Sequence, residues 1–175
     1  MVLQWRKAMA AVLSVAAVGC WGTTVRMPTA TEVAADMEHK RCGPDVENGS
    51  LNTIFNREAV MRFEPAYLSA QSCGGAGGGC YKRLAGAVIT LKAMKGVTAA
   101  WLDRALECHS ARRVLGRIPP DQIPNDPFWL PGRTVDIDVV ATGPEFAATI
   151  RSLEVSDAQE ILERAKAFVE GGPAR

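Results

Sequence analysis

The chain lacks the charge imbalance that nucleic-acid and membrane-surface proteins rely on. Twenty Lys and Arg stand against 19 Asp and Glu, a formal charge of +1, so no one-signed field is present to displace counterions from phosphate. That argues against a nucleic-acid module. Histidine is almost missing, at two residues, and no Ser–His–Asp order is persuasive with so few. There is no Cys-x-x-Cys, the spacing that would read as a zinc or thioredoxin-type site. No stretch approaches the roughly 20 apolar residues of a permanent spanning helix. What is present is ordinary: 175 residues, 47% hydrophobic and 22% charged, with 16 Gly and 10 Pro. That composition suits one globular domain with loose segments attached.

The first residues read as an address. Arg6 and Lys7 precede Ala8 to Gly19, a charge-free run in which only Ser14 is polar, giving the n-region and h-region of a signal peptide. Twelve helical residues rise about 18 Å, short of the roughly 30 Å hydrocarbon core. The run ends at Ala17-Val18-Gly19-Cys20. This resembles the lipobox of bacterial lipoproteins, in which small residues precede a cysteine whose sulfur is diacylated before cleavage. The resemblance implies a signal peptide over 1–19, lipidation at Cys20 and contact with the membrane through acyl chains, two or three of which make anchoring stable. Trp21 rather than Asp follows the cysteine, which by the same resemblance implies the periplasmic side of the outer membrane. Ala17 stands where the family usually has Leu, and Ala17-x-Gly19 also suits ordinary signal peptidase, which would leave a soluble exported protein. Removing 1–19 leaves 18 Lys and Arg against 19 Asp and Glu, a charge of −1. Trp21 to Lys40 is rich in Thr, Ala and small polar residues without a sustained period, so 20–41 is expected to be a flexible tether and 42–175 one domain.

Cysteine use fits export. With Cys20 acylated, Cys42, Cys73, Cys80 and Cys108 remain, and three pairings are possible. Cys73 and Cys80 bracket a glycine-rich loop that closes easily, which favours Cys73–Cys80 and leaves Cys42–Cys108. The second bridge would close about 67 residues and contribute about 3 to 4 kcal/mol in the chain-entropy account.

The clearest periodicity lies within 84–171 and predicts an α+β domain. Leu84 to Ala93 alternates with period two and reads as a strand. Thr98 is placed to N-cap a helix carrying Trp101, Leu102, Ala105 and Leu106 to about Leu115, where Gly116 stops it. Thr134 to Val140 puts Val135, Ile137 and Val139 on one face and Asp136 and Asp138 on the other. Phe146, Ala148 and Ile150 repeat the pattern after Thr142-Gly143-Pro144, so the two form a hairpin. Ser156-Asp-Ala-Gln159 reads as a capping box opening a helix that Gly171 ends. The order resembles the ferredoxin-like βαββαβ plan without its last strand. Glu58 to Tyr67 could fill that place antiparallel to Leu84–Ala93, a circular permutation with two helices on one face.

Several residues could carry chemistry. Cys108-His109 are both metal-ligating types, but helix neighbours point about 100° apart and cannot meet one ion. His109 shares the stripe of Leu102 and Ala105, which predicts a helix-face histidine with a buried hydrogen bond. A metal site would have to combine it with His39, Cys42 and Cys108 or the other cysteines. Gly74 to Gly79 lacks the Lys-Ser/Thr and the helix of a phosphate loop and reads as a turn. Asp136 and Asp138 read as the wet side of the hairpin beside Arg151, and Asn48-Gly-Ser50 as a turn. Arg117 to Arg133 holds five prolines and is neither helix nor central strand. Its Phe128 and Trp129 can plug the end of the sheet or meet an envelope protein partner; long loops are frequent binding elements. Two functions follow. One is a lipid-anchored envelope binding or scaffold module, without catalytic residues or cofactor, acting through that loop or a sheet face. The other is a periplasmic metal-binding or thiol-redox protein using Cys42, Cys73, Cys80, Cys108 and His109.

Overall fold

Period-two alternation builds the sheet as expected. The computed structural model describes residues 26–47, 59–69 and 82–171, and within them four antiparallel strands lie in the order β1-β2-β4-β3. These are β1 (Val60–Ser69), β2 (Lys82–Lys92), β3 (Asp136–Thr142) and β4 (Glu145–Arg151). The strand expected over 58–67 thus lies antiparallel to β2, at the sheet edge, where the permuted plan needs it. The molecule is a small α+β fold. β3 and β4 are joined by Gly143-Pro144, with Gly143 at φ 69°, the left-handed value that a two-residue hairpin needs at its first central position. Gly86, at φ 149°, is required for a different reason: a Cβ there would lie 2.0 Å from the carbonyl oxygen of Ile150. It sits at the bulge where β1 changes register against β2, as glycines in strands often do.

Four helices accompany the sheet among the described residues: α1 (Ala30–Arg41), α2 (Pro44–Glu47), α3 (Ala99–Val114) and α4 (Val155–Glu170). Thr98 caps α3 by accepting from the Trp101 N–H at 3.2 Å. Leu102, Ala105, Leu106 and Cys108 of α3 and Ile161 and Ala165 of α4 share one core with Ile89, Leu91, Ile137, Phe146 and Ile150. Both helices therefore cover the same sheet face, the one carrying the apolar half of each alternating strand.

Two local expectations are corrected. Residues 30–41 are helix, not flexible tether. Thr29 and Glu32 form a full capping box, with Thr29 N–H donating to Glu32 at 2.7 Å and Glu32 N–H to the Thr29 hydroxyl at 3.2 Å. The segment shows no apolar stripe because only Ala34 is fully buried, so period-based reading passes over it. α1 packs on α3, tied by Arg41–Glu107 at 2.6 Å and by Glu38 to Arg112 and Arg117 at 3.5 and 2.9 Å. The second correction concerns α4, whose N-cap is Glu154 without a side-chain cap. Ser156 lies inside the first turn, so Ser156–Gln159 is not a capping box. The turn is organised instead by Asp157, 96% buried, which takes an ion pair from Arg133 and a hydrogen bond from Ser152. A carboxylate at that position also complements the helix dipole.

Candidate binding surfaces

The loop between α3 and β3 is the first candidate, and its chemistry is directed inward. Five prolines remove five N–H donors, so the loop has carbonyls to spare and α3 supplies donors to them. Arg113, 97% buried, donates to the carbonyl oxygens of Pro119, Pro120 and Ile123. Its Nε also lies 3.1 Å from Asp126 Oδ2, an ion-pair contact without hydrogen-bond alignment. Asp126 is completely buried. Its Oδ2 lies 2.7 Å from His109 Nε2 and its Oδ1 accepts the Phe128 N–H at 3.0 Å. His109 is thus a buried helix-face histidine one turn before Arg113. The loop then inserts Phe128 and Leu130, each 1% exposed, into the core. Two guanidinium groups lie over the Trp129 ring, Arg113 at 4.4 Å and Arg164 at 5.4 Å from its centre, in cation–π geometry. Phe128 is the plug of the two readings offered by the sequence; its side chain presents no surface to a partner.

The cysteines are placed as follows. Cys42, at the C-cap of α1, and Cys108, fully buried on α3, form a disulfide. Their sulfurs are therefore not thiolate ligands, and among the described residues no three His, Cys, Asp or Glu side chains converge as a metal site requires. His39 is exposed on the last turn of α1, away from His109 on Asp126. Cys20, Cys73, Cys80, Asn48 to Ser50 and the Gly74 to Gly79 run lie outside the described residues.

The second candidate is the sheet face opposite the helices. Register places Arg62 beside Thr90 and Glu64 beside Val88, and β4 continues the rows with Ala147 and Thr149, then β3 with Val140 and Asp138. No described helix packs on this face. Its centre is built from small and β-branched residues, and Val140 is 48% exposed. Arg62 reaches across β2 to Glu145, 3.2 Å away on β4, and Thr90 beside it in the register is only 4% exposed. At the other end Arg151 bonds Asp136 at 3.0 Å, so Asp136 and Asp138 are the hairpin's wet side. Every strong charge in the rows except Asp138 and Lys92 has an opposite partner within the face.

The free edge of β3 is guarded. Val139 lies in a non-hydrogen-bonded pair with Ala148, so its N–H points outward, and α3 covers it with Asp103 Oδ1 at 3.1 Å. A carboxylate on an outer N–H blunts strand addition. Burial pushes the Asp103 carboxyl above its ordinary value, against the Val139 hydrogen bond and Arg41, with Asp138 and Asp136 adding to the rise. Burial likewise raises Glu107, one turn along α3, opposed by Arg41 and assisted by Asp103 and Asp136. The folded state therefore holds these protons more tightly than the unfolded chain, and their contribution to stability is lost as pH rises through the interval above the ordinary carboxyl range. The variant Asp103→Asn/Glu107→Gln keeps an acceptor for Val139 and removes the titration. Its advantage over wild type in urea midpoint should grow from about pH 4 to about pH 7; a difference constant with pH would contradict the assignment.

Comparison with protein families, curated proteins and solved structures finds no match to this chain.

Proposed function

We propose that the protein is an exported, lipid-anchored binding module of the cell envelope that works through the uncovered face of its sheet. The observation that carries this reading is the distribution of coverage. Among the described residues both long helices and the proline loop are spent on one face, while the other presents rows of small and β-branched residues bordered by charges that, Asp138 and Lys92 apart, are paired within the face. A cystine between α1 and α3 supports an oxidising compartment. The charged n-region, the short h-region and the small residues before Cys20 support the anchor. An acylated Cys20 would keep the module at the bilayer, leaving binding to the domain.

Intact mass of the protein recovered from its own membranes tests the reading, with thiol alkylation before and after reduction and metal content read on the same sample. Loss of residues 1–19, a diacylglyceryl group on Cys20 and alkylation of Cys42 and Cys108 only after reduction are expected. An unlipidated chain with accessible thiols or stoichiometric metal would overturn it in favour of thiol or metal chemistry at Cys42, Cys108 and His109.

A further inference from the structure

We propose that the occupant of the uncovered sheet face is a second copy of this chain, docked face to face about a two-fold axis running across the strands. The inference deepens the binding reading above and rests on its choice of surface. It follows from the register. A two-fold axis perpendicular to the strands, passing between the row of Val88 and Thr149 and the row of Thr90 and Ala147, lays β2 on the partner's β2 and β4 on its β4, each reversed. Val88 then meets Thr90 of the second copy and Thr149 meets Ala147, a centre of small and β-branched side chains. On β1 Glu64 meets Arg62, and on β4 Arg151 meets Glu145, in both directions because the axis is two-fold. No like charges oppose one another: Asp138 falls on Val140, Asp136 on Thr142 and Lys92 on Gly86. An axis along the strands gives a worse result, setting Glu64 against Asp138. Face-to-face sheets pack rotated by about 30°, and the long Arg and Glu side chains span the offset that this introduces at the margins.

The energetics set the strength. Four strands and seven residues give a face about 19 Å by about 23 Å, roughly half the usual area per partner, which is the size of a weak, transient contact. The charged residues other than Asp138 and Lys92 are already paired within each copy, Arg62 with Glu64 at 3.4 Å and Glu145 at 3.2 Å, and Arg151 with Asp136 at 2.8 Å. Docking thus extends existing pairs into networks and strips water from no isolated charge on β1 or β4. A dimer in the micromolar range is expected, strengthened when both copies are confined to one membrane.

Native mass spectrometry of the detergent-released protein, over about 1 to 100 µM, reads the outcome. Wild type should pass from monomer to dimer in that range. Arg62→Glu sets acid against Glu64 of the second copy and Glu64→Arg sets base against Arg62, so each alone should dimerise at least about tenfold more weakly, or ~1.4 kcal/mol. Mixed in equal amounts they should form a heterodimer at wild-type strength, since position 62 of each copy then meets the opposite charge at position 64 of the other. Ala147→Arg, at the centre, should abolish dimers, including with either variant, while its melting temperature confirms folding. A wild type that stays monomeric, single variants that dimerise unchanged, or folded variants that fail to pair on mixing would each overturn the proposal. The same spectra report the mass at Cys20, so a dimer of unlipidated chains would remove the anchor and keep the pairing. A monomer that instead carries a different protein, released by Ala147→Arg, would keep the binding face and remove the second copy.

Discussion

Asp126→Ala is expected to destabilise the fold by about 3 to 5 kcal/mol, the loss typical when one partner of a buried ion pair is removed. The carboxylate is fully buried and holds three groups at once: it bonds His109 and the Phe128 N–H and is the counter-charge of Arg113. Its removal leaves a guanidinium that is 97% buried without a counter-charge and releases the turn that seats Phe128. Set against the 5 to 15 kcal/mol of a typical domain, such a loss would leave little margin. Arg113→Leu should cost a comparable amount, because Pro119, Pro120 and Ile123 lose their donor. The double variant should cost much less than the sum, with a coupling of about 2 kcal/mol or more. His109→Ala, which removes the contact to Asp126 and leaves the ion pair, should cost less than either. Urea midpoints check the series; a loss under about 1 kcal/mol for Asp126→Ala would show that the network is not buried in solution.

The second large effect belongs to the disulfide. Cys42 and Cys108 are 66 residues apart in sequence, so the cross-link removes about 4 kcal/mol of loop entropy from the unfolded chain in the entropic account. The effect should also be local. α1 has one fully buried residue, and its other ties are partly exposed ion pairs that contribute little individually. Reduction, or Cys42→Ala with Cys108→Ala, should therefore lower the unfolding midpoint and release amide protection in α1 before α3, α4 or β2. Unchanged exchange in α1 after reduction would show that packing on α3 alone holds it.

These elements also show how far the chain could be read without coordinates. Strands with one buried face announce themselves, and Val135, Ile137 and Val139 against Asp136 and Asp138 gave β3 its facing, while Phe146, Ala148 and Ile150 did the same for β4. α3 and α4 were legible from their stripes and from Thr98, Gly116 and Gly171, the last at φ 73° as a left-handed cap. Capping patterns alone were poor guides: Thr29–Glu32 closes its box, whereas Ser156–Gln159 does not, because Arg133 and Ser152 recruit Asp157 from elsewhere in the fold. Of the buried network, His109 was readable from its place on the α3 stripe. Arg113 shares that side one turn later, a signal available from i, i+4 spacing. Asp126, 17 positions from His109, could not be found that way, since a proline-rich loop has no period that says which side chain turns inward. The pairing of opposite charges across the open face depends on strand register, fixed only when β2 and β4 come together.

The position of α1 sets where the N-terminal segment joins the domain. α1 packs on α3 and α3 on the core face of the sheet, so the chain enters the domain among the helices. From Cys20 to Ala30 the backbone spans at most about 35 Å. With Cys20 acylated as proposed, that reach would hold the helical side of the domain near the lipid.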